Sequence, residues 1–408
     1  MKKPIAVLLS LMLIFTILCT YVAAEEAALP VDTDVDNMID DGANPGESTE
    51  ASSSITPPEV KVPAAILMDG TTGQILFSQN ETTPLPPASV TKIMTLLLVI
   101  EDLSADLISL TDKVTISSYA ASMGGSQVFL AEGEVMALED LLKCTIIASA
   151  NDAAVALAEY VSGSEETFVA RMNARAQELG ATTAHFENAT GLDDDTTNHV
   201  MSALDIAIIS RELIKHEKIL EYSSVWMDSI RDGEFTLTNT NRLVRYYDGA
   251  TGLKTGSTDK AKFCMTATAE RNNMPLIAVV MGAESRDARN NAAKTLLDWG
   301  YANYALYCDE GADYGSVQVK RGCEDYVLTH SDGISVVIPK EQVNKVEKRM
   351  SLTPFVTAKI ENGCEVGTIS YLIDGEVIGT VPIYASNGVS ELTLWSFIGK
   401  MMKIFTLS

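Results

Sequence analysis

The chain has 408 residues, 46% hydrophobic and 21% charged, the make-up of a globular protein long enough for two or three structural units. A formal charge of −25, with 30 basic against 55 acidic residues, argues against nucleic acid as a partner, because phosphates need a basic face. Six cysteines without CxxC spacing and four histidines without an HExxH pattern give no disulfide framework and no metal site, and no cofactor is expected.

Along the chain, Lys2 and Lys3 precede an apolar run from Pro4 to Val22 and the small residues Ala23 and Ala24. This is the grammar of a signal peptide over residues 1–24, cleaved near Ala24 and implying export; the alternative is an uncleaved membrane anchor. Cys19 follows the bulky Leu18, which does not suit a lipoprotein cysteine. Cleavage would leave a charge of −27, from 28 basic and 55 acidic residues. Residues 25–58 hold nine acidic and no basic residues among Pro, Ser, Gly and Thr, too little apolar surface to pack, and read as a flexible acidic linker. Apolar segments Ala64–Asp69 and Gln74–Ser78 flank Gly70-Thr71-Thr72-Gly73 and predict a β-hairpin. A helix is predicted after Pro86-Pro87, and its body from Ala88 to Leu103 is apolar on every side, which places it in the middle of a core. Helical patterns follow at Leu138–Ile147, Asn151–Val161, Glu165–Leu179 and Ser202–Lys215, then strands at Lys262–Glu270 and Leu276–Gly282 and a helix at Arg286–Trp299. Residues 59–303 thus form one α/β unit. Beyond it, short β segments at Ser316–Val319, Ile334–Ile338 and Phe355–Ile360, with a hairpin at Asp374-Gly375, predict a small β domain over 304–390. In residues 391–408, Leu394, Trp395, Phe397, Ile398, Met401, Met402, Ile404 and Phe405 share one half of a helical wheel, with Lys400 and Lys403 on the other. Such a helix suits a membrane interface, although one packed on the protein would look alike.

The chemistry starts at Ser89-Val90-Thr91-Lys92, at the head of the core helix. Residues three apart share a helix face, so the Ser89 hydroxyl and the Lys92 amine can meet as nucleophile and base. A lysine accepts that proton only if burial or a neighbouring cation keeps it uncharged. A helix amino terminus also offers free N–H groups to an oxyanion. The pattern alone is weak, since Ser257-Thr258-Asp259-Lys260 matches it too. Ser149-Ala150-Asn151, at a junction between helical segments, and Lys254-Thr255-Gly256, which leads toward the strand from Lys262, strengthen it. The first of these also has a decoy, Ser78-Gln79-Asn80.

In this order and spacing, Ser-x-x-Lys, Ser-x-Asn and Lys-Thr-Gly resemble the penicillin-binding proteins and serine β-lactamases. The flanks narrow the likeness to the low-molecular-mass, serine-type D-alanyl-D-alanine carboxypeptidases over roughly residues 60–303. They are Pro-Pro-Ala-Ser-Val-Thr-Lys-Ile-Met-Thr at 86–95, Ala-Ser-Ala-Asn-Asp-Ala-Ala-Val-Ala-Leu-Ala at 148–158, Gly-Leu-Asp-Asp at 191–194, Thr-Gly-Leu-Lys-Thr-Gly-Ser-Thr-Asp-Lys-Ala at 251–261 and Leu-Leu-Asp-Trp-Gly at 296–300. The resemblance implies an antiparallel sheet with helices on both faces and an all-helical subregion, a second small all-β domain and a terminal amphipathic helix. It implies catalytic roles for Ser89, Lys92, Ser149, Asn151 and Lys254, and substrate binding by Thr255, Gly256, Ser257 and Arg289. The implied partners are peptidoglycan stem peptides ending in D-Ala-D-Ala, β-lactam antibiotics and, through the last helix, the membrane surface, at the outer face of the cytoplasmic membrane. A β-lactamase is the rival reading, but no Glu-x-x-Leu-Asn segment lies between Asn151 and Lys254. A wall-binding homologue without catalysis is a second, and all three motifs are whole. The chain departs from the family pattern with Ala150 inside Ser-x-Asn, Lys262-Phe263 where Gly-Tyr is expected, Thr190 in place of His, and Val200 and Leu204 in place of Tyr.

Overall fold

A helix that is apolar all round needs partners on every side, and the fold is organised to supply them. The computed structural model describes residues 55–193 and 196–406; the predicted leader and all but the last four residues of the predicted linker lie outside them. The first hairpin pairs β1 (Ala64–Asp69), buried along its length, with β2 (Ile75–Gln79). A 3-10 turn over Ala88–Thr91 then opens into α1 (Lys92–Ser104), where every residue from Lys92 to Ile100 is buried. Around α1 lie a small ladder of β3 (Lys113–Thr115) and β4 (Val135–Ala137), and helices α2 (Leu138–Ile146), α3 (Asn151–Ser162), α4 (Glu165–Leu179), α5 (Ala203–Leu213) and α6 (Glu217–Ser223). Their ends follow local rules: Ser164 and Ser202 accept main-chain N–H groups as N-caps, and left-handed Gly163 and Gly180 end α3 and α4. A second ladder, β5 (Met227–Ile230) with β6 (Phe235–Thr238), precedes β7 (Ala250–Thr258), β8 (Lys262–Arg271) and β9 (Met274–Ala283).

The main sheet has the order β2-β1-β9-β8-β7, antiparallel at every pairing, and α7 (Arg286–Asn303) covers its other face. Strand periodicity divides the burial. Ala64, Ile66 and Met68 join the core built around α1, whereas Ala65 and Leu67 join a second core with Ala293, Leu296 and Leu297 of α7.

The second unit pairs β10 (Tyr304–Asp309) with β13 (Ile334–Pro339). Its six-stranded sheet joins β11 (Ala312–Lys320), β12 (Tyr326–Ser331), β14 (Glu347–Leu352), β15 (Phe355–Thr357), β16 (Glu365–Ile373) and β17 (Glu376–Ala385) in the order β14-β16-β17-β12-β11-β15. Val327, Tyr371 and Ile383 lie at the centre of its own core. The β16–β17 turn is Asp374-Gly375 with φ of 51° and 91°, the two positive values that an Asp-Gly hairpin turn requires. α8 (Leu394–Thr406) ends the described chain, and no described helix is long and apolar enough to cross a membrane. The architecture is the expected one, a sheet with helices on both faces, a helical subregion and a second all-β unit. Element ends differ: the strand predicted to reach Ile360 stops at Thr357, and the helix predicted to stop at Trp299 continues to Asn303.

Candidate active site

β7 is the outermost strand of the main sheet, and its free edge faces the turn that carries Ser89. The approach is close enough to exclude a side chain. A Cβ on Gly256 would lie 2.8 Å from both the Pro87 oxygen and the Ser89 nitrogen. On the other side of the turn, Gly191 (φ 80°) packs on Ala88, where a Cβ would fall 1.9 Å from the carbonyl oxygen. Ala88 (φ 49°) and Ser149 (φ 62°) themselves sit in the left-handed region, a strained state for non-glycine residues costing about 1 kcal/mol each; Ala88 precedes Ser89, and Ser149 is itself a predicted site residue.

Lys92 is fully buried, and its Nζ has three oxygen neighbours: Ser89 Oγ at 3.1 Å, Asn151 Oδ1 at 2.5 Å and the Thr190 carbonyl at 2.8 Å. Burial lowers its pKa well below that of a free lysine, and the charge of Lys254 adds to the shift, against a smaller opposing effect of Asp152. A neutral amine fits the three neighbours. Two can only accept, so they take its two N–H groups, and the lone pair is left for the Ser89 O–H. Asn151 is fixed in turn, donating from Nδ2 to the Gly124 carbonyl at 2.7 Å.

Lys254, in the interior of β7, donates to Ser149 Oγ at 2.6 Å. Burial, with the charge of Arg289 second, lowers it to about 7. Thr255 Oγ1 meets Thr240 Oγ1 at 2.8 Å, and Arg289, in the first turn of α7, is almost wholly buried. Ser89, Ser149, Thr255, Gly256, Ser257 and Arg289 line one cleft of about 660 Å³, so all nine predicted residues converge there or on its floor. The decoys do not. Lys260 is exposed and donates to the Asp193 carbonyl, and Asn80 follows β2 at the far edge of the sheet.

Known proteins show the same architecture. The family model described as D-alanyl-D-alanine carboxypeptidase matches residues 51–285, and that described as penicillin-binding protein 5, C-terminal domain, matches 305–391. The carboxypeptidase DacF of Bacillus subtilis (strain 168) is 41% identical over 84% of this chain and 90% of its own. The chain belongs to the D-alanyl-D-alanine carboxypeptidase family. Among solved structures, penicillin binding protein 5 from Haemophilus influenzae aligns with a TM-score of 0.75 at 32% identity, over 83% of this carboxypeptidase and all of that chain. Penicillin binding protein 6B from Escherichia coli aligns at 0.68 and 32%, over 80% and 96%.

Several groups in the carboxypeptidase's site were not singled out from its sequence. His199 is buried behind Ser89-Val90-Thr91-Lys92, and burial holds its pKa down at about 4. The neutral ring accepts the Glu187 N–H at Nδ1 (3.1 Å), so Nε2 carries the proton and donates to Thr91 Oγ1 at 2.8 Å. Buried Asp152, next to Asn151, accepts the Val128 and Leu130 N–H groups and ties the start of α3 to the loop above the cleft. Trp226, Thr240, Arg242, Tyr246 and Arg286 also line the cleft. The family departures are mostly harmless here. Only the main-chain carbonyl of Thr190 touches Lys92, and Lys262 sits at φ 57°, a conformation that glycine adopts without strain. Cys144 and Cys264 are buried, with thiol pKa values raised by burial, as small core residues.

Proposed function

We propose that this serine carboxypeptidase removes the terminal D-alanine from peptidoglycan stem peptides ending in D-Ala-D-Ala, through an acyl-enzyme on Ser89. The observation that carries this is the buried Lys92 amine, 3.1 Å from Ser89 Oγ and held by two acceptors that leave its lone pair toward the hydroxyl. Lys92 takes the hydroxyl proton as Oγ attacks the penultimate D-Ala carbonyl. The N–H groups of Ser89 and Ser257 stabilise the oxyanion, and Thr255 and Arg289 hold the terminal carboxylate. Collapse breaks the C–N bond, and the proton held by Lys92 is relayed through Ser149, hydrogen-bonded to Lys254, to the departing amine, which leaves Lys92 neutral again. Water, deprotonated by Lys92, then hydrolyses the ester. β-Lactams acylate Ser89 by the same attack.

The same reading gives residues 59–303 the catalysis and makes 304–390 a separate β domain. It puts the enzyme at the outer face of the cytoplasmic membrane after removal of residues 1–24, held there by the apolar face of 391–408. In support, Leu394, Trp395, Ile398, Met401 and Met402 are exposed on α8. Mass spectrometry after penicillin treatment tests the centre of the proposal. A long-lived adduct on Ser89, with D-Ala release lost in Ser89→Ala, is expected. An adduct that survives that substitution, or equal D-Ala release by the two proteins, overturns it.

A further inference from the structure

The carboxylate end of the cleft holds more cationic and donor groups than D-alanine can use. In the reading above, which this inference rests on, Thr255 and Arg289 take the terminal carboxylate. Two more guanidiniums line the same cleft. Arg242 lies two residues after Thr240, the hydrogen-bond partner of Thr255, and Arg286 lies one helical turn before Arg289 on α7. Both are exposed, and neither guanidinium makes a hydrogen bond or ion pair among the described residues. Their charges reach Arg289, whose pKa falls to about 10 chiefly by burial and further through Arg286 and Arg242.

Trp226 lines the cleft with its indole N–H buried and without an acceptor among the described residues. An orphaned buried donor costs free energy unless a ligand satisfies it. The Trp226 ring packs 6.4 Å from that of Tyr246, which is itself exposed on the cleft wall. Among the described residues no Asp or Glu lines the cleft, in a chain with 55 acidic residues. A methyl side chain needs none of these groups. A side chain ending in a carboxylate would use them all, since guanidinium forks match its geometry and an indole N–H can share it.

We propose that the leaving-group position accepts a D-amino acid whose side chain carries a second carboxylate, bound by Arg242, Arg286 and the Trp226 N–H. The chemistry is that of D-Ala release: Ser89 acylates, the D-Ala to D-amino acid C–N bond breaks, and the amine leaves with the proton. A diamino dicarboxylic acid at that position, with its side-chain carboxylate free, is a leaving group of this class.

Peptides with one common acyl part, ending in D-Ala-D-Ala, D-Ala-D-Glu or D-Ala-D-Lys, isolate the effect, because all three give the same acyl-enzyme. The expected kcat/KM for D-Glu release at least equals that for D-Ala and exceeds that for D-Lys by about tenfold, the scale of one charge-assisted hydrogen bond. Arg286→Gln and Arg242→Gln should each shrink the D-Glu over D-Lys ratio severalfold, with penicillin labelling of Ser89 reporting that each variant is folded. Equal D-Glu and D-Lys release by the wild type, or a ratio unchanged in both variants, overturns the inference. If D-Ala is released normally in that case, the carboxypeptidase reading stands; if no D-amino acid is released at all, both fall.

Discussion

Of the three oxygens around the Lys92 amine, only the Ser89 hydroxyl has a proton to give. Keeping that amine uncharged depends on burial and on a second buried lysine, and both features cost stability. Lys254 titrates near 7 in the fold and near 10.5 in a free chain. The unfolded chain therefore binds more protons between these values, and stability rises with pH across that window. Lys254→Met is expected to raise Tm at pH 7, with a gain of order a few kcal/mol at most, while abolishing D-Ala release. The gain should shrink as pH approaches 10; a Tm difference flat from pH 6 to 9 would refute the burial argument. Gly256→Ala has the opposite character. Its Cβ must displace β7 from the Ser89 turn, so the rate of penicillin acylation should fall by at least about tenfold, the effect of losing one aligned donor, with little change in Tm. At this scale the three motifs were legible because their chemistry lies in side-chain type and spacing. The Thr190 carbonyl was not, since a main-chain oxygen leaves no mark in sequence. His199 was passed over because a lone histidine carries no spacing pattern.

Elements were legible where their periodicity is clean. α4 spans Glu165–Leu179 as predicted, and Asp374-Gly375 turns its hairpin. β7 extends back to Ala250, a start that the sequence does not mark, because Gly252, Lys254 and Gly256 interrupt any apolar alternation. The run is buried by packing on α6 and the Ser89 turn, which only the tertiary fold supplies. The β5–β6 ladder, which precedes Thr240 and Arg242, was missed for a similar reason. α8 presents an exposed apolar face, with Trp395 82% exposed. Deleting residues 392–408 is expected to release the protein from membrane vesicles with its penicillin labelling intact. An unchanged bound fraction would assign the face to another partner.

Across the described residues, three hydrophobic cores are distinct, and the β unit has one to itself. Its contact with the rest runs through α7, where Trp299 meets Tyr304 edge-on at 5.4 Å and Val337 joins the second core. A chain ending at residue 303 is therefore expected to keep Ser89 acylation by penicillin but to lose Tm, because a strip around Trp299 becomes exposed. Loss of acylation in a truncated protein that still melts cooperatively would show that the β unit shapes the cleft. The acid-to-base imbalance was plain in composition, whereas its reversal inside the cleft was not, because that depends on which arginines the fold gathers.

The contact between Gly256 and the Ser89 turn also bears on drug escape. No codon other than one for glycine can serve at 256 without moving the nucleophile, and in the proposed mechanism antibiotic and wall peptide are attacked by that same nucleophile. Variants selected by penicillin should therefore map to other positions lining the cleft, such as Trp226 and Tyr246.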